Sequence, residues 1–174
     1  PYSRELEGKY FDFIFDDGTE MYFSFPARNI AEFRVKGEES HRETAYVMKA
    51  EEGAFYVMTE IEGSSPRTGY MLVIDIYERL VTAVFAKMGA VAERPNLVTR
   101  EAKFGAIKDG DRPLPEKRHT FTKDLVGQKI EWIYNPMFSV IHVYLRDNCY
   151  TVTRNEEMKE LRRKMMEENP NLPG

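Results

Sequence analysis

Apolar and polar residues alternate with a period of two along most of this chain, and that rhythm predicts strands rather than helices. "YFDFIF" at 10–15 and "EMYFSF" at 20–25 flank "DDGT", where Asp17-Gly18 predicts a tight hairpin. "IAEFRV" at 30–35 follows the loop "PARN" as a third strand. "ETAYVMKA" and "AFYVMTEI" flank "EEG", and "GYMLVIDI" and "LVTAVFAKM" flank "YER", as two further hairpins. "NLVTREAKFGAI" adds one strand before the polar loop "KDGDRPLPEKRH", and "KIEWIY", "SVIHVYL" and "CYTVTR" add three more. Some ten or eleven short strands, with turn signals at about every ten residues, predict an all-β antiparallel barrel or sandwich. A helix is expected only at the end, over about 155–168. There Asn155 can cap "EEMKELRRKMMEEN", Met158, Leu161 and Met165 share a face, and Asn169-Pro170 stops the turn.

The alternation repeats. "GKYFDFIFDD" at 8–17 and "GQKIEWIYNP" at 127–136 superpose without a gap, and the register runs on to Val35 and Arg154. Phe11 then meets Ile130, Phe13 meets Trp132, Phe15 meets Tyr134 and Phe23 meets His142, although identities are few (Gly8/Gly127, Ile14/Ile133, Asn29/Asn148). The expectation is a single domain over 1–174, with equivalent three-strand units, 8–35 and 127–154, opening and completing one barrel. Alternate side chains of a small barrel point inward, and about eight strands leave room for one small ligand. Phe11, Phe13 and Phe15 share the face opposite Tyr10 and Asp12 and are read as inward. Ile130, Trp132 and Tyr134 follow by the overlay, as does His142 beside Val140 and Tyr144. One chamber bordered by Phe13, Phe15, Trp132, Tyr134 and His142 is therefore expected.

Composition narrows the partners. The 174 residues carry a net charge of −4 with the basic residues scattered among acidic ones, which gives no coherent basic face for nucleic acid. Apolar runs such as "LVTAVFA" at 80–86 are too short to span a bilayer. A polar opening predicts no secretory leader, and a single cysteine, Cys149, excludes an intrachain disulfide and fits a reducing cytoplasm. His41, His119 and His142 lack zinc-like spacing, "DDG" and "KDGD" read as turns rather than calcium loops, and no phosphate-cradling or nucleophile-elbow motif occurs. No metal or organic cofactor is expected.

The run "GKYFDFIFDDGTEMYFSF", with Arg42, "GAFYVMTEIE" at 53–62 and "ERPNLVT" at 93–99, resembles the bacterial phenolic acid decarboxylases. The segment "RHTFTKDLVGQKIEWIYNPMFSVIHVYLRDNCYTVTR" is more similar to the family labelled molybdenum-cofactor-biosynthesis protein F, a MoaF-like resemblance whose label establishes no molybdenum role. Both resemblances imply a calycin-like, lipocalin-like β-barrel with its site inside, and commonly a homodimer. In the decarboxylases two first-strand tyrosines hold the substrate carboxylate while an arginine and a glutamate assist. This chain carries Phe13 and Phe15 on the matching strand, which cannot hydrogen-bond a carboxylate. Arg42 matches the arginine, and the glutamate is either Glu60 or Glu62, both of which a one-residue register shift would turn outward.

The polar groups expected inside or at the mouth are thus Arg42, Glu60 or Glu62, Tyr134 and His142, with Phe11, Phe13, Phe15, Phe23, Trp132 and Tyr144 as ligand-binding walls. An apolar chamber raises carboxyl pKa values and lowers that of histidine, so either can act as an acid or base near neutral pH. Tyr134 can donate a hydrogen bond where charge develops, and Arg42 can clamp an anion. The bland readings are a core tyrosine, a paired core histidine and, for Arg42 after "EESH", a solvated loop. The expected function is a cofactor-independent lyase or isomerase acting on a small aromatic or unsaturated acid or ketone. The alternative is a lipocalin-like carrier that sequesters a small hydrophobic ligand, and a third reading is a filled barrel acting through a dimer surface.

Overall fold

Strands β1 (Tyr10–Phe15), β2 (Glu20–Ala27), β3 (Ile30–Val35), β4 (His41–Glu51), β5 (Ala54–Ile61), β6 (Arg67–Asp75), β7 (Leu80–Met88) and β8 (Val98–Lys108) follow one another in space as in sequence, in a computed structural model of the chain. Each pairs antiparallel with the next, and β8 returns to pair with β1, which closes an eight-stranded barrel. Strands β9 (Lys129–Asn135), β10 (Phe138–Arg146) and β11 (Cys149–Arg154) form a separate three-stranded sheet in the order β11-β10-β9. The chain divides accordingly into two compact units, residues 1–120 and 121–174. The structure describes residues 2–135, 138–146 and 149–154, together with positions 160, 163, 164 and 167. The helix expected over about 155–168 therefore lies almost wholly outside the described residues.

The barrel follows from the alternation. On β1, Phe11, Phe13 and Phe15 are buried while Tyr10 stands 70 % exposed. β2 and β3 add Met21, Phe23, Phe25 and Phe33 to the same interior. The rings order one another: Phe11 stacks on Phe13 at 5.7 Å and Phe23 on Phe33 at 5.2 Å. From the other side come Val57, Leu72, Ile74, Val81 and Ala83. An eight-stranded barrel is just wide enough for its side chains to fill, and this one is filled through its middle. Burying each phenylalanine contributes about 1.5–3 kcal/mol relative to exposure.

Two local devices fix the geometry. In the β1–β2 hairpin Gly18 takes φ 85° and the Asp17 carboxylate accepts the Thr19 amide at 2.9 Å, so the tight turn is satisfied internally. At the closing seam Gly105 of β8 lies opposite Phe15. A methyl group added there would stand 2.4 Å from the Ile14 carbonyl oxygen and 2.9 Å from the Phe15 Cα, so the barrel shuts only over a bare backbone.

The second unit repeats the pairing of the first. Phe11 lies opposite Phe23 and Ile130 opposite His142; Phe23 lies opposite Phe33 and His142 opposite Val152; Met21 pairs with Val35 and Val140 with Arg154. The approach to the first strand matches as well. The Gly8 amide donates to the Phe25 carbonyl and the Gly127 amide to the Tyr144 carbonyl, each at 2.8 Å, with φ of 80° and 82°. The expectation of one barrel completed by 127–154 is nevertheless corrected. Strand β8 already satisfies the outer edge of β1, which leaves β9–β11 no place in that ladder.

Candidate functional site at the barrel mouth

The filled interior stops short of one end. There the β1–β2, β3–β4 and β5–β6 turns and the adjoining ends of β7 and β8 surround a cavity of ≈ 690 Å³. Its aromatic floor is a chain of edge contacts. Phe33 meets Tyr70 at 5.2 Å, and Tyr70 meets Phe85 at 5.0 Å and 81°. His41 lies opposite Phe33 across the β3–β4 ladder, with the rings 5.4 Å apart. Two positions along the same face of β4, Glu43 stands half-buried opposite Ala31 and also lines the cavity.

The charged groups here are unevenly satisfied. Lys103 sits 5.1 Å above the Phe85 ring and donates to Asp17 at 2.7 Å and to the Thr19 hydroxyl at 3.1 Å. The Lys103 hydrogen bond holds the Asp17 carboxyl down at about 2, and the same bond raises the lysine. Tyr70 is 6 % exposed, and its hydroxyl has no hydrogen-bond partner among the described residues. Burial first, and then the charge of Glu38, raises the Tyr70 phenol above its ordinary value, so it stays protonated at neutral pH.

The residues expected to do chemistry fall elsewhere. Arg42 points outward from β4 and pairs with Glu32, and Glu60 points outward from β5 and pairs with Arg67. Each lies one residue from an inward position, and in a strand that step reverses the face. Their expected role inside the barrel is therefore corrected, while Glu62, on the β5–β6 turn, does line the mouth. Phe11, Phe13, Phe15 and Phe23 face inward but are at most 7 % exposed. They fill the barrel instead of walling an open chamber.

In the second unit Trp132, His142 and Tyr144 share one face of the sheet. His142 lies 6.1 Å from Trp132 and 5.9 Å from Tyr144, and it stacks on Tyr150 at 4.7 Å. That face is covered in part: Val140 is buried, while Trp132 is 44 % and Tyr150 52 % exposed. Because the barrel closes around Phe13 and Phe15 without β9–β11, the expectation of one chamber bordered by both sets of residues is corrected. The Tyr134 side chain lies outside the described residues. Among the described residues no His, Cys, Asp and Glu side chains converge as a metal site, and no helix is long and apolar enough to cross a membrane.

Sequence reasoning missed Tyr70, His41, Glu43 and Lys103. The signal was present on β4, where buried Ala45 and Val47 put the odd positions inside and so carry Glu43 and His41 along that face to the rim.

The family model described as MoaF N-terminal domain matches residues 1–90, half of the chain. No curated protein matches the chain significantly.

Proposed function

This chain belongs to the MoaF family, and we propose that its barrel binds a small molecule at the mouth, sequestering or carrying it. The observation that carries this reading is the division of the barrel into a ring-packed middle and a cavity of ≈ 690 Å³ rimmed by polar groups. A cavity of this volume can hold a small molecule, and its lining joins Phe85, Tyr70, Val35 and Ile61 to a larger set of polar side chains. Polar groups confined to a rim suit a binding protein better than a catalyst working at the barrel centre.

A second reading is a cofactor-independent lyase or isomerase, favoured by one feature. The protonated Tyr70 phenol and the His41 imidazole flank the same Phe33 ring, at 5.2 and 5.4 Å. A phenol and an imidazole facing one cavity supply a hydrogen-bond donor and a proton acceptor for a small carbonyl compound. Residence in the cytoplasm and a homodimer belong to the same proposal, and light scattering on the purified protein measures the latter.

Screening small aromatic compounds by protein-observed NMR, followed by turnover assays on those that bind, tests both readings. The binding reading expects chemical-shift changes at His41, Glu43 and Tyr70, and no turnover. The catalytic reading expects turnover that falls by about 10²–10⁴-fold in Tyr70→Phe or His41→Ala while affinity changes far less. Compounds that bind only away from the mouth would overturn both.

A further inference from the structure

The charge around the mouth selects the ligand. Five carboxylates line it, those of Glu38, Glu39, Glu43, Glu62 and Glu101, against two ammonium groups, Lys87 and Lys103. Lys103 is engaged by Asp17 at 2.7 Å and by Glu101 at 3.6 Å, so its charge is largely spent. Glu38, Glu39, Glu43 and Glu62 make no ion pair among the described residues. The carboxylates are spread around the rim, with no cluster of metal-ligating side chains among the described residues, which suits a diffuse positive charge better than a bare ion. The floor adds an independent sign of a ligand. Tyr70 is buried to 6 % exposure, it lines the cavity, and its hydroxyl is unpartnered among the described residues. The hydroxyl opens onto the cavity, where a ligand can take the place of water as its hydrogen-bond partner.

Resting on the mouth as the binding site, we propose that the ligand is an organic cation: a protonated amine carried on an aromatic or alkyl body. The ammonium N–H groups donate to the Tyr70 hydroxyl oxygen and to the Glu43 carboxylate. The positive charge faces the Phe85 and Tyr70 rings, which attract cations, and the apolar body lies against Ile61 and Val35. A cavity whose lining carries a net negative charge concentrates cations and disfavours anions. The small aromatic acids suggested by the decarboxylase resemblance are the class this mouth repels.

The test is a ¹⁵N-NMR titration of the full chain, at neutral pH and low salt, with 3-phenylpropylamine, 3-phenylpropan-1-ol and 3-phenylpropanoate. These share a body and differ in charge. The amine is expected to bind at least about tenfold more tightly than the carboxylate, with the alcohol between them, and to lose that advantage at high salt. All three are expected to shift the resonances of His41, Tyr70 and Lys87. Glu43→Gln and, separately, Glu62→Gln, which is exposed and leaves the fold undisturbed, are expected to weaken the amine while the alcohol is unchanged. A carboxylate that equals or beats the amine at these resonances overturns the cation assignment and leaves the mouth as the site. No shift at the mouth with any of the three overturns the mouth reading as well.

Discussion

Phe23 and His142 hold equivalent places in two three-stranded units. One lies between Phe11 and Phe33, the other between Ile130 and Val152. Phe23 is wholly buried, whereas the neighbours of His142 include Trp132 at 44 % and Val152 at 53 % exposure. The backbone pairing is the same, down to the glycine that opens each unit. Pairing register is therefore set locally, by alternation and by turns. Burial is not local: it requires the five further strands that close over β1–β3, and among the described residues β9 and β11 have no strand partner on their outer edges.

The sharpest way to break this comparison is to truncate both equivalents. Phe23→Ala is expected to cost about 3–5 kcal/mol, since it opens a cavity in a filled core. His142→Ala, at a half-buried position stacked on Tyr150, is expected to cost less, about 1 kcal/mol. Urea unfolding, followed by circular dichroism for the whole chain and by the fluorescence of Trp132, the sole tryptophan, for the second unit, measures each. Equal costs would mean that the β9–β11 face is fully covered in solution.

A matched pair sharpens it. Gly8→Ala and Gly127→Ala each place a side chain at φ near 80°, where an added methyl meets nothing within 4 Å. The penalty is then the backbone's alone, about 1 kcal/mol at each site, and denaturant midpoints should fall by the same amount for both. A difference between them would mean that the two turns, alike in hydrogen bonding, are held differently by what surrounds them.

The smallest effect belongs to the hairpin tips, where the units diverge: Asp17 binds Lys103, and the aligned residue is Pro136, outside the described residues. With its folded-state pKa at about 2, below the ordinary 3.8, Asp17 contributes stability that is complete above the ordinary value and is lost as pH falls through about 2. Because Asp17 is half exposed, the contribution is that of a surface pair, ~0.2–1 kcal/mol. Asp17→Asn should lower the melting temperature slightly at pH 7 and leave it unchanged near pH 1.

The strands were legible in the sequence almost to the residue. β1, β3, β5, β7 and β11 carry the bounds that alternation assigns, because half-buried strands write their two faces directly into the chain. Closure was not legible. Nothing local distinguishes a three-strand unit that is roofed by five others from one that is not, and the Phe15–Gly105 contact joins the two ends of the barrel sequence. The site was half legible. The aromatic interior was read as a chamber because inward rings look alike whether they line a space or fill it, and packing depends on all eight strands at once. Arg42 and Glu60 were drawn in by resemblance, although the parity of buried Ala45 and Val47 excludes Arg42 and that of Val57 and Thr59 excludes Glu60.

The seam between β8 and β1 has a consequence for the birth of the protein. Strand β1 leaves the ribosome early, yet its outer edge is filled only when β8 follows, after most of the barrel sequence has been made. At elongation rates of about 5–20 residues per second, β1–β3 spend several seconds as an open sheet with their phenylalanine face uncovered. That nascent state has the form the finished second unit displays. Yet its face carries Phe11, Phe13, Phe23 and Phe33 where the second unit's carries Ile130, Trp132, His142 and Val152. Histidine in place of Phe23 makes the second face more tolerant of water, while the first needs shelter until its last strand arrives.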